Sequence, residues 1–432
     1  QTTLRQFEEA DNFGSLIRPD ITDVDVMLRI LESKNVSGQL FISMTHQKVL
    51  QALRQADYLS PKYHVVIANP PYMGSKGVNG RLAAWVKDNY PNSKSDLFSM
   101  FIERNLGLVR DHGAVGMITM QSWMFLSSFQ SLRASLLADN TLICLSHFPY
   151  ENRMPTVMGI NFGVSAFVLR RKRINKYSAH FCCARHHELD EYGKPVNFPP
   201  NNERLRCQDL SVFDNLPGKP IAYWINPALQ DVFIDCEPLQ REFPPKTGMT
   251  TGDDGRFLRQ WHEVDLRNFA SACDSSLAVQ ESGKKWCPYN KGGIGERWYG
   301  HCNYVVNWLN DGQEIKDWVV SNPNDPNTTS WSRRIFNSEF FFRKGVTWTL
   351  LNSRTFNVRY LPAGNFMNVY GPTISVEDHD TNSYILGFLN SKVARDLVQI
   401  INPTAANNPG DIGKLPLRYS SVDLVAKTSS GA

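Results

Sequence analysis

The chain has 432 residues, a formal net charge of +4 and a hydrophobic content of 42%, values typical of a globular protein with two or three domains. The mild positive charge permits nucleic-acid binding without requiring it. The sequence has no long apolar stretch and its eight cysteines follow no regular spacing, so we expect reduced thiols in a cytoplasmic protein rather than a secreted or membrane protein.

Residues 1–60 have apolar positions at helical spacing, and a strand is predicted at 64–68. Its apolar run, Val65 to Ala68, ends at Asn69-Pro70-Pro71-Tyr72. An apolar, β-branched run closed by two prolines predicts a buried parallel strand. The strand would end at these prolines, and ligands of open α/β sheets bind at the carboxyl ends of the strands. Because proline fixes φ and has no N–H, we expect a rigid turn whose carbonyl groups point outward.

The tetrapeptide combines an amide side chain, a free carbonyl and an aromatic face. If the Asn69 side-chain oxygen and the Pro70 carbonyl both accept N–H bonds from an exocyclic amine, its nitrogen is drawn toward tetrahedral geometry and its lone pair is freed. Acceptors placed where positive charge develops act like an oxyanion hole of opposite sign. Tyr72 would stack on the ring, a contact worth about 1–3 kcal/mol. The structural alternative is a simple turn after a strand.

Downstream, the pattern alternates between strands and helices. A polar loop is predicted over 73–80, then a helix from about Asp96 to Val109 capped by Ser95. The remaining predicted elements are a strand at 114–119, a helix at 129–138, and strands at 142–148 and 164–169. This alternation favours an α/β sheet.

We therefore predict a partial catalytic domain over 1–175, a connector over 176–245, a second domain over 246–418 and a flexible tail over 419–432. Short strands and a helix near 381–400 are predicted in the second domain.

Seven of the ten tryptophans lie between Trp261 and Trp348, interleaved with arginine and lysine. Aromatic residues at this density usually build a core, so the following are interpreted as mainly structural: Trp286, Tyr289, Trp298, Tyr299 and Trp308. The neighbouring loop with Lys291, Gly292 and Gly293 is a better candidate for contacting DNA, since glycine allows close backbone approach.

Two other groups of polar residues have competing interpretations. The basic run that begins with Arg170 and Arg171 is either a solvated edge or a phosphate contact. Cys182-Cys183 and His186-His187 are potential zinc ligands, but no second ligand pair occurs at zinc-finger spacing. We predict no metal site.

Several motifs together carry a family resemblance. They are Asn69-Pro70-Pro71-Tyr72, Ser95-Asp96-Leu97-Phe98 with Phe101-Ile102-Glu103, Gly113 to Thr119 with Trp123, and Phe148-Pro149 through Gly163 to Phe167. This set resembles the N6-adenine DNA methyltransferases, which use S-adenosylmethionine.

The resemblance implies a role for each matched residue. Asn69, Pro70, Pro71 and Tyr72 would form the catalytic turn, and Phe148, or alternatively Phe162, would supply a second aromatic ring to a flipped adenine. Asp96 and Phe98 would lie near the cofactor. Asp96 has a second interpretation, as a carboxylate favoured by the helix dipole in the first turn.

Longer stretches narrow the resemblance to the methyltransferases of BREX phage-defence systems. They are 62–75, 89–103 and 281–311, and the last, tryptophan-rich stretch is the most specific. Thr250 to Asp254 with Phe257-Leu258-Arg259 resembles the opening of a target-recognition domain, and 389–392 and 410–416 resemble its close. The resemblance implies DNA contacts at Arg256 and Arg259. The implied partners are double-stranded DNA, other defence proteins and a phage-encoded inhibitor.

Two features depart from the family pattern. His64 stands where an acidic residue usually precedes the catalytic strand. The glycine-rich cofactor loop and the acidic ribose-binding residue do not occur in residues 1–60, and Lys291 to Gly295 does not follow a strand, so it is no displaced copy. We expect a central piece of a longer protein, with the main cofactor loop upstream of residue 1, that binds S-adenosylmethionine poorly and is inactive alone.

The predicted fold is α/β: a Rossmann-like class I methyltransferase domain without its N-terminal part, followed by a mixed α+β target-recognition domain. The predicted activity is site-specific N6-adenine methylation of DNA. One alternative is a glutamine methyltransferase acting on release factors, although such compact enzymes have no place for the region after 246. The other is a non-catalytic DNA-recognition or assembly component of a defence complex.

Overall fold

The computed structural model describes residues 2–20, 23–34, 40–150, 160–271, 273–293, 295–351, 356–404 and 406–418. The chain divides into two compact units, Gln1–Trp224 and Ile225–Ala432. Each unit is described by itself. The expected flexible tail, 419–432, lies outside the described residues.

The first unit contains seven α-helices and six strands among its described residues. In chain order they are α1 (Thr2–Gln6), α2 (Ala10–Phe13), α3 (Asp25–Glu32), α4 (Leu40–Leu59), β1 (Tyr63–Ala68), α5 (Gly80–Asn89), α6 (Leu97–Leu108), β2 (Val109–Met120), α7 (Gln130–Asp139), β3 (Asn140–Phe148), β4 (Val164–Arg171), β5 (Ser178–Cys183) and β6 (Arg206–Asp209).

These strands form one mixed sheet in the order β1-β2-β4-β3-β5-β6. β1 and β2 are parallel, β4 runs antiparallel between β2 and β3, and β3 is parallel to β5. The carboxyl ends of β1, β2 and β3 therefore lie at the same end of the sheet, which we call the carboxyl end. The predicted α/β class is confirmed for this unit.

The position of β1 differs from the prediction. The strand is parallel to β2, but the described strands pair with only one side of it. Val65 and Ile67 are 56% and 83% exposed, so the prediction of a buried strand was wrong within this chain. A strand of apolar, β-branched residues is suited to burial. Its composition does not show whether a neighbouring strand or helix covers it.

The sheet also extends further along the chain than predicted. β5 and β6 lie within the stretch interpreted as a connector, and the first compact unit continues to Trp224 rather than ending at 175. These strands have six and four residues, too short to produce a clear alternating pattern among the prolines around them. Helix α5 was also not predicted.

Helix α6 begins one residue later than expected. Asp96, not Ser95, is the N-cap, with extended backbone angles and a side chain that accepts from the Phe98 N–H. The Ser95 hydroxyl instead donates to the Ser128 carbonyl at 3.1 Å. Serine and aspartate cap helices about equally well, so the sequence did not distinguish them. The prediction of Ser95 as the cap was wrong.

The second unit is built from short elements, as predicted. They are α8 (Pro227–Asp235), β7 (Glu237–Pro238), α9 (Asp254–Phe257), β8 (Leu258–Gln260), α10 (Ser276–Ser282), β9 (Trp286–Asn290), β10 (Tyr304–Asn307), α11 (Leu309–Ser321), β11 (Gly345–Trp348), β12 (Val358–Leu361), β13 (Phe366–Met367), β14 (Thr373–Ser375), α12 (His379–Asn390), α13 (Lys392–Ile401), α14 (Pro409–Ile412) and β15 (Pro416–Leu417).

Three small sheets organise the second unit, in the orders β13-β9-β10-β8, β12-β11-β14 and β15-β7. The helix predicted near 381–400 is two helices, because Ser391 caps α13 through the Ala394 N–H. Asn390, at the end of α12, bonds both the N–H and the C=O of Val358 at 3.1 and 2.9 Å, and so satisfies backbone groups of strand β12.

The aromatic residues of this unit have two different environments. Tyr289 and Trp308 are only 1% and 4% exposed and belong to its main hydrophobic core, which confirms the structural interpretation for them. Trp298 and Tyr299 are 52% and 61% exposed. The interpretation as core residues was wrong for this pair.

Candidate active site

The Asn-Pro-Pro-Tyr turn lies at the carboxyl end of the sheet, directly after β1. Asn69 is exposed and Pro70 is buried. No hydrogen bond from a described residue reaches the Pro70 carbonyl. The two acceptors predicted from the sequence are therefore adjacent, and the described part of the chain leaves the carbonyl oxygen available.

The Tyr72 side chain contacts Asn69, the first residue of this turn. Its hydroxyl donates to Asn69 Oδ1 at 3.2 Å and lies 3.4 Å from the Ile118 carbonyl oxygen on β2. Burial raises the pKa of Tyr72 above its ordinary value, so the hydroxyl keeps its proton at neutral pH. The Asn69 oxygen thus already accepts a hydrogen bond from the side chain of Tyr72, within the same turn.

Two aromatic rings pack against Tyr72 among the described residues. Phe98 and Phe162 meet it edge to face, with ring centroids 6.2 and 5.6 Å away. Phe98 is fully buried and forms the wall behind Tyr72. The edge-to-face contact with Phe162 leaves no room for a further planar ring between those two rings.

Phe148 and Phe162 were the two candidates for a second base-stacking ring. Phe148 ends β3 opposite Val164, whereas Phe162 contacts Tyr72 directly. The geometry favours the alternative candidate, Phe162. The family motif between them passes through 151–159, which lies outside the described residues.

Asp96 connects the catalytic turn to helix α6. Its Oδ1 accepts from the Met73 N–H at 3.0 Å and from the Phe98 N–H at 3.2 Å, and the Leu97 N–H donates to the Met73 carbonyl at 3.0 Å. Asp96 is 9% exposed. The carboxylate therefore holds Met73, the residue that directly follows Tyr72. This contact positions the end of the turn.

A shallow cavity of about 400 Å³ opens on the sheet face beside Asn69, with Ile67, Met117 and Cys144 among its lining residues. It is mainly apolar and extends from β1 across β2 and β4 to β3. The residues that line it include no acidic residue and no glycine-rich turn. The lining therefore does not offer the polar groups that would bind the ribose and the carboxylate of S-adenosylmethionine.

Sequence reasoning missed two polar residues at the carboxyl end of the sheet. Gln121 directly follows β2, and His147 is the penultimate residue of β3. The Gln121 Oε1 atom and the His147 Nε2 atom are 2.6 Å apart. Their position at strand ends was the available signal, but pairing them requires the strand order β1-β2-β4-β3, which the sequence does not reveal.

The basic run 170–173 is largely occupied by internal contacts. Arg171 donates to the Val109 carbonyl at 2.7 Å and lies 3.4 Å from the Asp111 carboxylate. The Nε of Arg170 is buried and has no hydrogen-bond acceptor among the described residues. DNA contact by Arg170 and Arg171 stays a prediction.

The predicted cationic DNA contacts of the second unit also have partners. Arg256 pairs with Glu314 at 2.8 Å, and Lys291 pairs with Asp254 at 2.9 Å. Arg259 donates to backbone carbonyls, including that of Gly255 at 2.8 Å. Surface ion pairs contribute only about 0–1 kcal/mol, so these cations can exchange a carboxylate for a phosphate at small cost.

The 291–293 loop directly follows strand β9, so the prediction that no strand precedes it was wrong. Among the described residues no helix begins between this loop and α11 at Leu309, so the strand–loop–helix pattern of a cofactor loop is still not met.

The glycines of this loop have a structural explanation. Gly292 has φ of +77°, and a Cβ there would lie 2.6 Å from the Tyr370 carbonyl oxygen. A Cβ on Gly293 would lie 2.2 Å from His301 Nδ1. Close packing within the unit therefore requires both glycines, and their contact with DNA stays a prediction.

The described residues contain no group of three or more His, Cys, Asp or Glu side chains that could hold a metal ion. No helix in the described part of the chain is long and apolar enough to cross a membrane.

Comparison with known proteins links this geometry to a family. Residues 22–154 match the Eco57I restriction-modification methylase family. The chain is 32% identical over 443 residues to the adenine-specific methyltransferase PglX of Lacticaseibacillus casei (strain Zhang), covering 99% of this chain and 36% of PglX. The chain is a relative of PglX. The resemblance to the BREX methyltransferases is thereby confirmed.

Two further similarities agree with this relationship. The adenine-specific methyltransferase BrxX of Escherichia coli O9:H4 (strain HS) is 32% identical over 423 residues, covering 96% of this chain and 33% of BrxX. The fold is similar to that of the Type IIL restriction-modification enzyme MmeI in complex with DNA, with a TM-score of 0.52, 12% identity, and coverage of 82% of this chain and 45% of MmeI. The chain spans about a third of the length of PglX and BrxX.

The role of Asp96 can be tested through stability. Burial raises the pKa of Asp96 above its ordinary value, although backbone N–H bonds from Phe98 and Met73 oppose this. The folded state therefore binds this proton more tightly than the unfolded chain, and this contribution to stability falls as pH rises from about 4 through the raised pKa. Asp96→Asn retains the accepting oxygen without the charge and should remove that fall.

Asp96→Ala removes the acceptor for both N–H groups, so it should lower the free energy of unfolding by about 1–3 kcal/mol at pH 7. Chemical denaturation of the wild type and both variants over a pH series measures these differences. Equal destabilisation by asparagine and alanine at pH 7 would show that Asp96 does not act as the acceptor described.

Proposed function

We propose that this chain carries the base-binding half of the active site of an N6-adenine DNA methyltransferase in a BREX-like phage-defence system. One observation carries the proposal: Asn69 Oδ1, at the carboxyl end of the sheet, accepts a hydrogen bond from the Tyr72 hydroxyl at 3.2 Å. This bond fixes the orientation of the amide, and the second lone pair of the oxygen can accept from an incoming N–H group. The neighbouring Pro70 carbonyl receives no hydrogen bond from a described residue.

The chemistry of these groups suits the exocyclic amine of adenine. The N6 lone pair is delocalised into the ring, which makes N6 a poor nucleophile. When Asn69 Oδ1 and the Pro70 oxygen accept its two N–H bonds, the nitrogen becomes pyramidal and the lone pair localises. Both oxygens also stabilise the positive charge that develops on nitrogen. S-adenosylmethionine, when bound, would supply an electrophilic methyl group, whose bond to the sulfonium sulfur breaks as its bond to N6 forms. The extra N6 proton then leaves to water.

Adenine in duplex DNA cannot reach this turn while it is stacked. The enzyme therefore turns the nucleotide out of the helix, which costs a few kcal/mol. Stacking on Tyr72 and Phe162 offsets that cost at about 1–3 kcal/mol per contact. Asn69 Oδ1 has two lone pairs, so it can accept from N6 while the Tyr72 hydroxyl still donates to it.

The relatives favour adenine over glutamine as the acceptor. PglX and BrxX are named as adenine-specific methyltransferases, and their similarity extends over 99% and 96% of this chain, including the second unit. MmeI, whose fold is similar, was solved in complex with DNA. These similarities support DNA as the substrate and the second unit as its recognition domain.

Asn69→Ala in the complete natural protein tests the assignment. The variant should lose adenine methylation while remaining folded, because it removes only an exposed acceptor. Asn89→Ala is the matched control, since Asn89 is an exposed asparagine at the end of α5 and should leave activity unchanged. The measurement is sequencing of methylated adenines in the DNA of cells that express each variant. Normal adenine methylation with Asn69→Ala would contradict the proposal, and none even with the wild type would favour a non-catalytic recognition component.

We further propose that the cofactor-binding half of the site lies outside residues 1–432. The unpaired side of β1 presents Val65 and Ile67, 56% and 83% exposed, as a surface suited to a parallel strand and its covering layer. PglX and BrxX are about three times as long as this chain, so they contain sequence that can supply these elements.

Residues 1–432 expressed alone should therefore bind S-adenosylmethionine weakly or not at all, whereas the complete protein should bind it. Isothermal titration of both proteins with the cofactor makes the comparison. Equal affinity of the two would show that the described residues already contain the whole cofactor site.

A further inference from the structure

We propose that Gln121 and His147 form a positioning pair that fixes the backbone beside Phe162, and thereby the place from which its ring stacks on the flipped adenine. The inference rests on the proposed function, because it concerns the pocket that receives this base. Neither residue contacts the reacting atoms, so both are positioning residues rather than catalytic ones.

His147 is held in one orientation. It is 2% exposed, and its Nε2 lies 2.6 Å from Gln121 Oε1 while its Nδ1 lies 3.1 Å from the Tyr223 hydroxyl. An amide oxygen only accepts, so Nε2 donates and Nδ1 accepts from the tyrosine O–H. Burial lowers the pKa of His147 to about 3. A single neutral tautomer therefore satisfies both contacts at neutral pH.

The surrounding side chains keep the imidazole in place. Trp224 lies nearly parallel to it, with ring centroids 6.2 Å apart and an angle of 17°, and Phe125 packs on it at 5.9 Å. Tyr223 is itself stacked on Phe181 at 4.7 Å. The bond from His147 to the Gln121 amide thus originates from a rigid part of the core.

Gln121 transmits this position to the neighbouring chain. Its backbone N–H donates to the Gly163 carbonyl at 2.9 Å. Its side-chain amide lies against Gly163 so closely that a Cβ there would be 2.1 Å from the amide carbon and oxygen. The amide therefore occupies the space of the absent side chain, and displacing it would release Gly163.

Phe162 is the residue immediately before Gly163, and its ring meets Tyr72 edge to face at 5.6 Å. The contacts therefore form a chain from His147 through Gln121 and Gly163 to Phe162. If this series of contacts sets the position of the Phe162 ring, loss of the Gln121 contact should lower kcat/KM only in a protein that still has the Phe162 ring.

A double-mutant cycle in the complete protein tests this dependence. The variants are Gln121→Leu, Phe162→Ala and the two combined, and the readout is kcat/KM for methyl transfer to genomic DNA from cells that lack the gene. Phe162→Ala should lower kcat/KM by about 5- to 150-fold, the loss of one stacking contact. Gln121→Leu should lower it about tenfold through misplacement of the ring. The double variant should lie within about twofold of Phe162→Ala.

Thr141→Val is the matched control for general destabilisation. Thr141 lies at the opposite end of β3, is fully buried, and its hydroxyl donates to the Lys172 carbonyl at 3.0 Å. This variant should lose a similar amount of thermal stability but keep wild-type kcat/KM. If Gln121→Leu fails to fold, Gly163→Ala replaces it in the cycle, because the added Cβ displaces the same amide.

Two results would overturn the inference and leave the proposed function intact. One is that the losses in kcat/KM from Gln121→Leu and Phe162→Ala multiply in the double variant. The other is that Gln121→Leu lowers kcat/KM no more than Thr141→Val does. Full activity of Asn69→Ala in the same assay would instead contradict the proposed function itself. The two failures are therefore distinguishable.

Discussion

The termination of β1 by two consecutive prolines is the constraint on which the rest of the site depends. Neither proline has an N–H, so the strand cannot continue as a normal ladder. The turn that results places Asn69 on the solvent side of the strand end, with the Pro70 carbonyl beside it.

The residues around this turn fix its shape from both sides. Asp96 binds the N–H of Met73, which follows Tyr72, and at the same time begins helix α6. The helix in turn supplies Phe98, the wall behind Tyr72. On the other side, Phe162 contacts the same tyrosine ring. The aromatic ring that would stack on a base is thus held by packing, and its hydroxyl donates to Asn69 Oδ1.

The sequence predicted the parts of this site that depend on local chemistry. The strand, the turn and its two acceptors follow from the properties of proline and asparagine, and helix α6 follows from its apolar spacing. The sequence did not distinguish Ser95 from Asp96 as the helix cap, because that choice depends on the Met73 N–H group, which is distant along the chain. Likewise, the choice between Phe148 and Phe162 depends on how β4 lies between β2 and β3. The exposure of Val65 and Ile67 was missed because composition does not reveal which neighbours a strand has.

The most direct test of the account is a structure of the complete protein with DNA that contains its recognition site and a non-reactive cofactor analogue. We predict an adenine outside the duplex, with N6 within hydrogen-bond distance of Asn69 Oδ1 and the Pro70 oxygen. An adenine bound elsewhere, or a duplex in which every adenine stays stacked, would contradict the assignment of this turn.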